Sequence, residues 1–217
     1  MQKMILLAFS LLWLVGCAQP VSSLRGTSDI PPVSCCTSLE QLPAQSFNSK
    51  SSLTLNFGAR TPLIDDANCR ARAQVVALPD FNGTYTLELT IPLDDQRFLA
   101  AQAVIYDADW KPLQKLSYPD FEYRKPVLLQ SHRLFASILV QSGINTPRWL
   151  VISTIAQPQP DKLKLIAASE IYAERTQVEA PLELTRYATA CEDGTINVRI
   201  SRFPQLANEL INAVTGG

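Results

Sequence analysis

The residues of this 217-residue chain that could do chemistry are five cysteines, one histidine and several neighbouring acid pairs. Paired carboxylates can serve glycoside hydrolysis as acid and base or nucleophile. Asp65-Asp66, Asp94-Asp95, Asp107/Asp109 and Glu192-Asp193 are such pairs, and each sits where a turn is expected. Asp favours turns because its side chain bonds nearby backbone amides, so these acids read as turn formers. Asp107-x-Asp109 could begin a calcium loop, but no Gly and closing Glu follow at the required spacing. His132 has no histidine or Cys-x-x-Cys partner, so neither a metal set nor a nucleophile–base pair can be assembled around it. Serines lack a Gly-x-Ser-x-Gly elbow, and the eight glycines are too dispersed for a phosphate loop. The expectation is therefore no catalytic residue, no metal and no cofactor: a non-enzymatic protein.

The first cysteine has a different use. Lys3 gives a positive start, and Met4 to Val15 is apolar except for Ser10. That run is shorter than the about 20 residues a spanning helix needs, which suits a signal peptide over residues 1–16. Leu14-Val15-Gly16-Cys17 resembles a bacterial lipobox, which implies cleavage before Cys17 and lipidation of its thiol. Membrane attachment that lasts needs more than one acyl chain, and an acylated N-terminal Cys17 would supply three. Ala18 replaces the Asp that would imply inner-membrane retention. The expected location is the outer membrane, facing the periplasm. Residues 17–34 then form the lipidated start and a polar tether.

Four cysteines remain, Cys35, Cys36, Cys69 and Cys191, and an even count in an oxidising compartment suggests two disulfides. Adjacent cysteines bridge only with strain. The pairings left are Cys35–Cys69 with Cys36–Cys191, or the reverse.

Positioning these residues requires strands. Ser52 to Phe57 and Tyr85 to Ile91 alternate apolar and polar residues, the pattern of half-buried strands. Asp107 to Pro112 reads as a hairpin connection, and Asp193-Gly194 as another between Tyr187–Ala190 and Ile196–Ile200. Arg133 to Val140 and Trp149 to Ile155 are more continuously apolar, as central strands covered on both faces would be. Asp161 could cap a helix using Leu163, Ile166, Ala167 and Ile171, and a second could follow Pro204. The fold expected over residues 35–217 is one mainly β domain, an antiparallel β-sandwich with one or two short peripheral helices. With a net charge of −1 and scattered basic residues, no nucleic-acid track is expected. Aromatic faces stack on sugars, and Trp110, Tyr118, Phe121 and Tyr123, with Trp149, are candidates for that role. The competing reading is that they fill the core.

Several segments together resemble the maltose operon periplasmic protein (MalM) family. They are Ala103-Val104-Ile105-Tyr106-Asp107 with the turn to Pro112, Tyr118 to Tyr123, Arg133-Leu134, Leu150 to Thr154, and Ala180-Pro181 through Arg186-Tyr187 to Val198. The likeness runs from about Phe81 to Ser201, and Cys35 to Leu39 is similar to lipoprotein members. The resemblance implies a periplasmic setting and an association with maltose and maltodextrin uptake, with no catalytic residues to carry over. The candidate partners are the membrane through the lipid, a glycan, or an envelope protein.

Overall fold

The computed structural model describes residues 34–47, 51–66, 69–80, 83–93, 96–127, 130–141, 146–155, 162–179 and 185–202. The signal peptide, Cys17, the tether up to residue 33 and the helix expected after Pro204 lie outside them. The strands in chain order are β1 (Ser34–Cys36), β2 (Ala44–Ser46), β3 (Ser52–Phe57), β4 (Leu63–Asp66), β5 (Cys69–Ala77), β6 (Thr84–Pro92), β7 (Arg97–Leu99) and β8 (Ala101–Tyr106). Then follow β9 (Pro112–Leu116), β10 (Glu122–Arg124), β11 (Arg133–Gln141), β12 (Trp149–Thr154), β13 (Lys162–Leu165), the helix α1 (Ala168–Thr176), β14 (Arg186–Cys191) and β15 (Gly194–Arg202).

The mainly β fold is as expected. A five-stranded sheet runs β10-β11-β6-β15-β3, and its pairs are all antiparallel. A seven-stranded sheet runs β1-β4-β5-β12-β8-β9, with β2 also on β5, and a small third sheet runs β13-β14-β7. The large sheets share one core. Alternation puts Leu87, Leu89 and Ile91 of β6 on one face, where Ile138 opposes Leu87, Leu134 opposes Ile91 and Val198 opposes Leu89. These side chains pack in one cluster with Val76, Ile105, Leu150 and Ile152 from the seven-stranded sheet. Each fully buried Leu or Ile contributes about 1.5–3 kcal/mol relative to exposure.

Three expectations are corrected. β12 is buried on both faces, but β11 alternates, so Leu139 is 47% exposed beside fully buried Ile138. On the outer face of β11, Ser137 and Leu139 oppose Glu88 and Thr86 of β6, none of which belongs to either core cluster. Lys162 to Leu165 is a strand rather than the start of a helix: Lys and Leu alternate at period two, and the segment pairs with β14. Of the proposed helix positions only Ile171 falls within α1. The turn at Asp193-Gly194 joins no hairpin, because β14 pairs in parallel with β7 while β15 enters the five-stranded sheet. Gly194 makes that change of sheet at φ 149°, where an added Cβ would come within 3.1 Å of the Leu99 Cβ.

The Asp107 turn forms as expected. Oδ1 of Asp107 accepts the amides of Asp109 at 3.0 Å and Lys111 at 2.9 Å, closing the β8–β9 hairpin. Trp110 takes the left-handed conformation there, at φ 59°.

Candidate functional site

The seven-stranded sheet has a break in its pairing that opens a cleft. Strand β4 pairs with Cys69 to Arg72, the first part of β5, whereas β2 pairs with Val75 to Ala77 at its far end. Ala73 and Gln74 lie between. They floor a cavity of about 600 Å³, walled by Leu42, Pro43 and Gln45 on one side and Gly58 to Pro62 on the other, with Asn56 and Phe57 of β3 across from them. Its volume is in the usual range of ligand pockets.

Alternation sends Gln74 to the same face as Val76, into the space between the sheets. There Nε2 of Gln74 donates to the Asn56 carbonyl at 2.8 Å, and Oε1 accepts from Nε2 of Gln45 at 2.6 Å. This chain of amides ties β2 and β5 to β3 and fixes the polar floor. The opposite wall is equally constrained. The Thr61 amide donates to the Gly58 carbonyl at 2.9 Å, while the Thr61 hydroxyl accepts the Gly58 amide at 3.0 Å and donates to the Asn56 carbonyl at 3.3 Å. From β5, Nη1 of Arg72 donates to the carbonyls of Ala59 at 3.2 Å and Thr61 at 3.3 Å. Among the described residues the lining has no carboxylate, and its ionisable group is the exposed Arg60. Amides, a hydroxyl and one guanidinium can hold hydroxyl groups by donating and accepting.

The residues singled out from the sequence lie elsewhere and do not converge. Tyr118 is buried and stacks on Phe98 with ring centroids 5.2 Å apart, and Phe121 is buried in the same core. The core reading therefore holds for these two, and they offer no stacking face. Tyr123 is half-buried, its hydroxyl bonded to His132 and to the Ile166 amide. Trp110 lies on the outer face of the seven-stranded sheet, stacked on Trp149 at 5.3 Å and 8°, with Tyr106 at 5.9 Å. The two indoles cover one another and join a second small cluster with Cys36, Leu42 and Val151.

Cys191 is a free thiol, which corrects its expected disulfide. Its Sγ receives the Arg97 Nε hydrogen at 3.1 Å, and the same guanidinium pairs with Asp193 at 2.7 Å. Cys36 is disulfide-bonded. The side chains of Cys35 and Cys69, like Cys17, lie outside the described residues. Among the described residues no group of three or more His, Cys, Asp or Glu could hold a metal, and no helix is long and apolar enough to cross a membrane.

Carboxamides carry no motif, so the sequence does not mark the cleft residues. The available signal was the Gly58-x-x-Thr61-Pro62 turn after an alternating run.

Fold and cleft together define a β-sandwich with a polar cavity at a gap in strand pairing along β5. The family described as maltose operon periplasmic protein precursor (MalM) matches residues 68–200, and the chain belongs to that family. Membership makes it a periplasmic accessory protein of the maltose-operon type. No curated protein sequence matches the chain. Among solved structures, the pre-peptidase C-terminal domain of a Bacillus anthracis collagenase aligns at TM-score 0.32 and 6% identity, over 74% of this chain and 96% of that one. CorA, a surface-associated copper-binding protein of Methylomicrobium album BG8, aligns at TM-score 0.29 and 12% identity, over 74% and 98%. Superpositions this loose define no shared fold. Of the cleft lining, Ala73 and Gln74 fall inside the family match, whereas Leu42 to Pro62 precede it.

Proposed function

We propose that the chain is a non-enzymatic module, anchored by lipid on Cys17 to the periplasmic face of the outer membrane, that binds a glycan of the maltodextrin class in the cleft between β2, β3 and β5. The observation that carries the reading is the fixed amide chain from Gln45 through Gln74 to Asn56 on the floor of the cavity. Family membership supports the choice of sugar, and the Leu14-Val15-Gly16-Cys17 motif supports the anchor. Apolar CH surface from Pro43 and Pro62 is available to the ring faces of a sugar, since both residues line the cavity. Titration calorimetry of the full, detergent-solubilised chain with maltodextrins tests it. Saturable heat that Gln74→Leu abolishes supports the reading, and its absence for every glycan tried refutes it.

A second reading, an interaction protein of the envelope that binds no sugar, is favoured by exposed Tyr172, Val178 and Tyr187, which are 63%, 58% and 50% accessible. Co-purification of a defined envelope protein, lost when these three are changed to Ser, would support it.

A further inference from the structure

Gly58 borders more than one cavity. A second cavity, of about 380 Å³, is lined by Phe57, Gly58, Ala59, Arg72, Glu192 and Asp193. It shares Phe57, Gly58 and Ala59 with the first, so one short ridge of chain borders both. We propose that the two cavities form one binding groove for an extended, linear oligosaccharide, and that Gly58 is its length-determining residue, a reading that rests on the glycan-binding function proposed above.

Three observations carry it. First, a Cβ built on Gly58 meets nothing within 4 Å, so the ridge is open where it borders both cavities. Gly58 has no positive φ that would by itself demand glycine, and the missing side chain is what keeps the passage free. Second, the ridge is held from beneath. Arg72 bonds the carbonyls of Ala59 and Thr61, and Thr61 bonds Gly58 on both its amide and its carbonyl. A preordered ridge loses little freedom when a ligand lies across it. Third, the donors change in kind along the groove. The first cavity presents carboxamides, a hydroxyl and Arg60, while the second presents Arg72, Glu192 and Asp193. Both sets can bond hydroxyl groups, the second with charge assistance. A monosaccharide or disaccharide would occupy one cavity; a longer chain reaches both.

The test is titration of the full chain in detergent with maltose and with maltoheptaose, for wild type, Gly58→Trp, Gly58→Ala and Glu192→Gln. The expected result for wild type is an affinity gain of about tenfold or more from maltose to maltoheptaose. Gly58→Trp should erase the gain, Gly58→Ala should reduce it, and Glu192→Gln, which lies in the second cavity alone, should weaken maltoheptaose while maltose binding persists. The unfolding midpoint is read for every variant; since an added Cβ meets no atom, Gly58→Ala keeps the test valid if Gly58→Trp folds poorly. Equal affinity for the two sugars, or a length gain that survives both Gly58 substitutions, overturns the groove and leaves the single-cavity reading standing. Heat from neither sugar overturns both.

Discussion

The Tyr123 hydroxyl lies 2.6 Å from Nδ1 of His132 and accepts the Ile166 amide at 3.1 Å. Strands β10 and β11 of the five-stranded sheet are thereby tied to the segment that leads from β13 into α1. An oxygen that receives one hydrogen and directs its own at Nδ1 fits a neutral imidazole. Burial, aided by the Arg186 guanidinium, holds His132 below its ordinary value of 6.5. The unfolded chain therefore binds a proton that the folded chain resists, so this contribution to stability is complete above about pH 6.5 and declines as pH falls below it. Urea midpoints at about pH 7.5 and about pH 5.5 should differ in wild type and converge in His132→Gln, apart from the common carboxylate background. An unchanged difference in the variant would remove His132 from the account.

The same tie predicts a cost for its oxygen. Tyr123→Phe keeps the ring but leaves the Ile166 amide and Nδ1 without their partner, and should lower stability by about 1–2 kcal/mol. Chemical denaturation measures this directly. A loss within error would mean that water replaces the hydroxyl fully.

Strand β11 offers a sharper contrast within two adjacent residues. Ile138 is fully buried against Leu87, and Leu139 faces solvent. Ile138→Ala should cost about 2–5 kcal/mol, and Leu139→Ser should stay within about 0.5 kcal/mol. Equal effects would contradict the register of β11 on β6.

That register was largely legible in the sequence, because alternation at Tyr85 to Ile91 names its buried face without any knowledge of partners. The same logic misled at Arg133 to Val140, where apolar content suggested two covered faces. Covering depends on what packs against each face, as the Trp110–Trp149 cluster does on β12, and nothing local encodes that. The hairpin expected at Asp193-Gly194 failed for a related reason. A turn sequence specifies a reversal of direction, yet β14 pairs with β13 and β7 while β15 pairs with β3 and β6. The cleft was the least legible element. It exists because β2 and β4 stop short of each other along β5, and a gap between two non-neighbouring strands leaves no trace in residue types. Tyr118 and Phe121 illustrate the converse: their aromatic character was plain, but whether an aromatic faces sugar or core is decided by tertiary packing.

Cysteine chemistry gives a further prediction. Cys191 is free and partly accessible, held by Arg97, whereas Cys36 is bonded and buried. Brief alkylation of the native, unreduced protein followed by peptide mass spectrometry should label Cys191 and leave Cys36 unlabelled. Labelled Cys36, or protected Cys191, would reverse the assignment. In cells, Cys17→Ala should abolish palmitate incorporation, and retained labelling would refute lipidation at that site.

Gln74 joins the structural and the functional arguments, and its substitution must register in both. Its carboxamide accepts from Gln45 and donates to the Asn56 carbonyl, so Gln74→Leu deletes two hydrogen bonds at the junction of the sheets. Each is worth about 0.5–1.5 kcal/mol net, which sets the stability loss at about 1–3 kcal/mol. Gln74→Glu retains an acceptor for Gln45, but as a carboxylate it cannot donate to Asn56 and would face that carbonyl with like polarity. It should therefore be the less stable variant at neutral pH, with part of the loss recovered at acid pH, where the protonated carboxyl can donate. Glycan binding should fail in both variants, since the cleft floor depends on the same two bonds. If stability falls as described while glycan affinity is untouched, Gln74 is a strut between sheets and the sugar lies elsewhere. If affinity falls with stability intact, the amide meets the ligand directly.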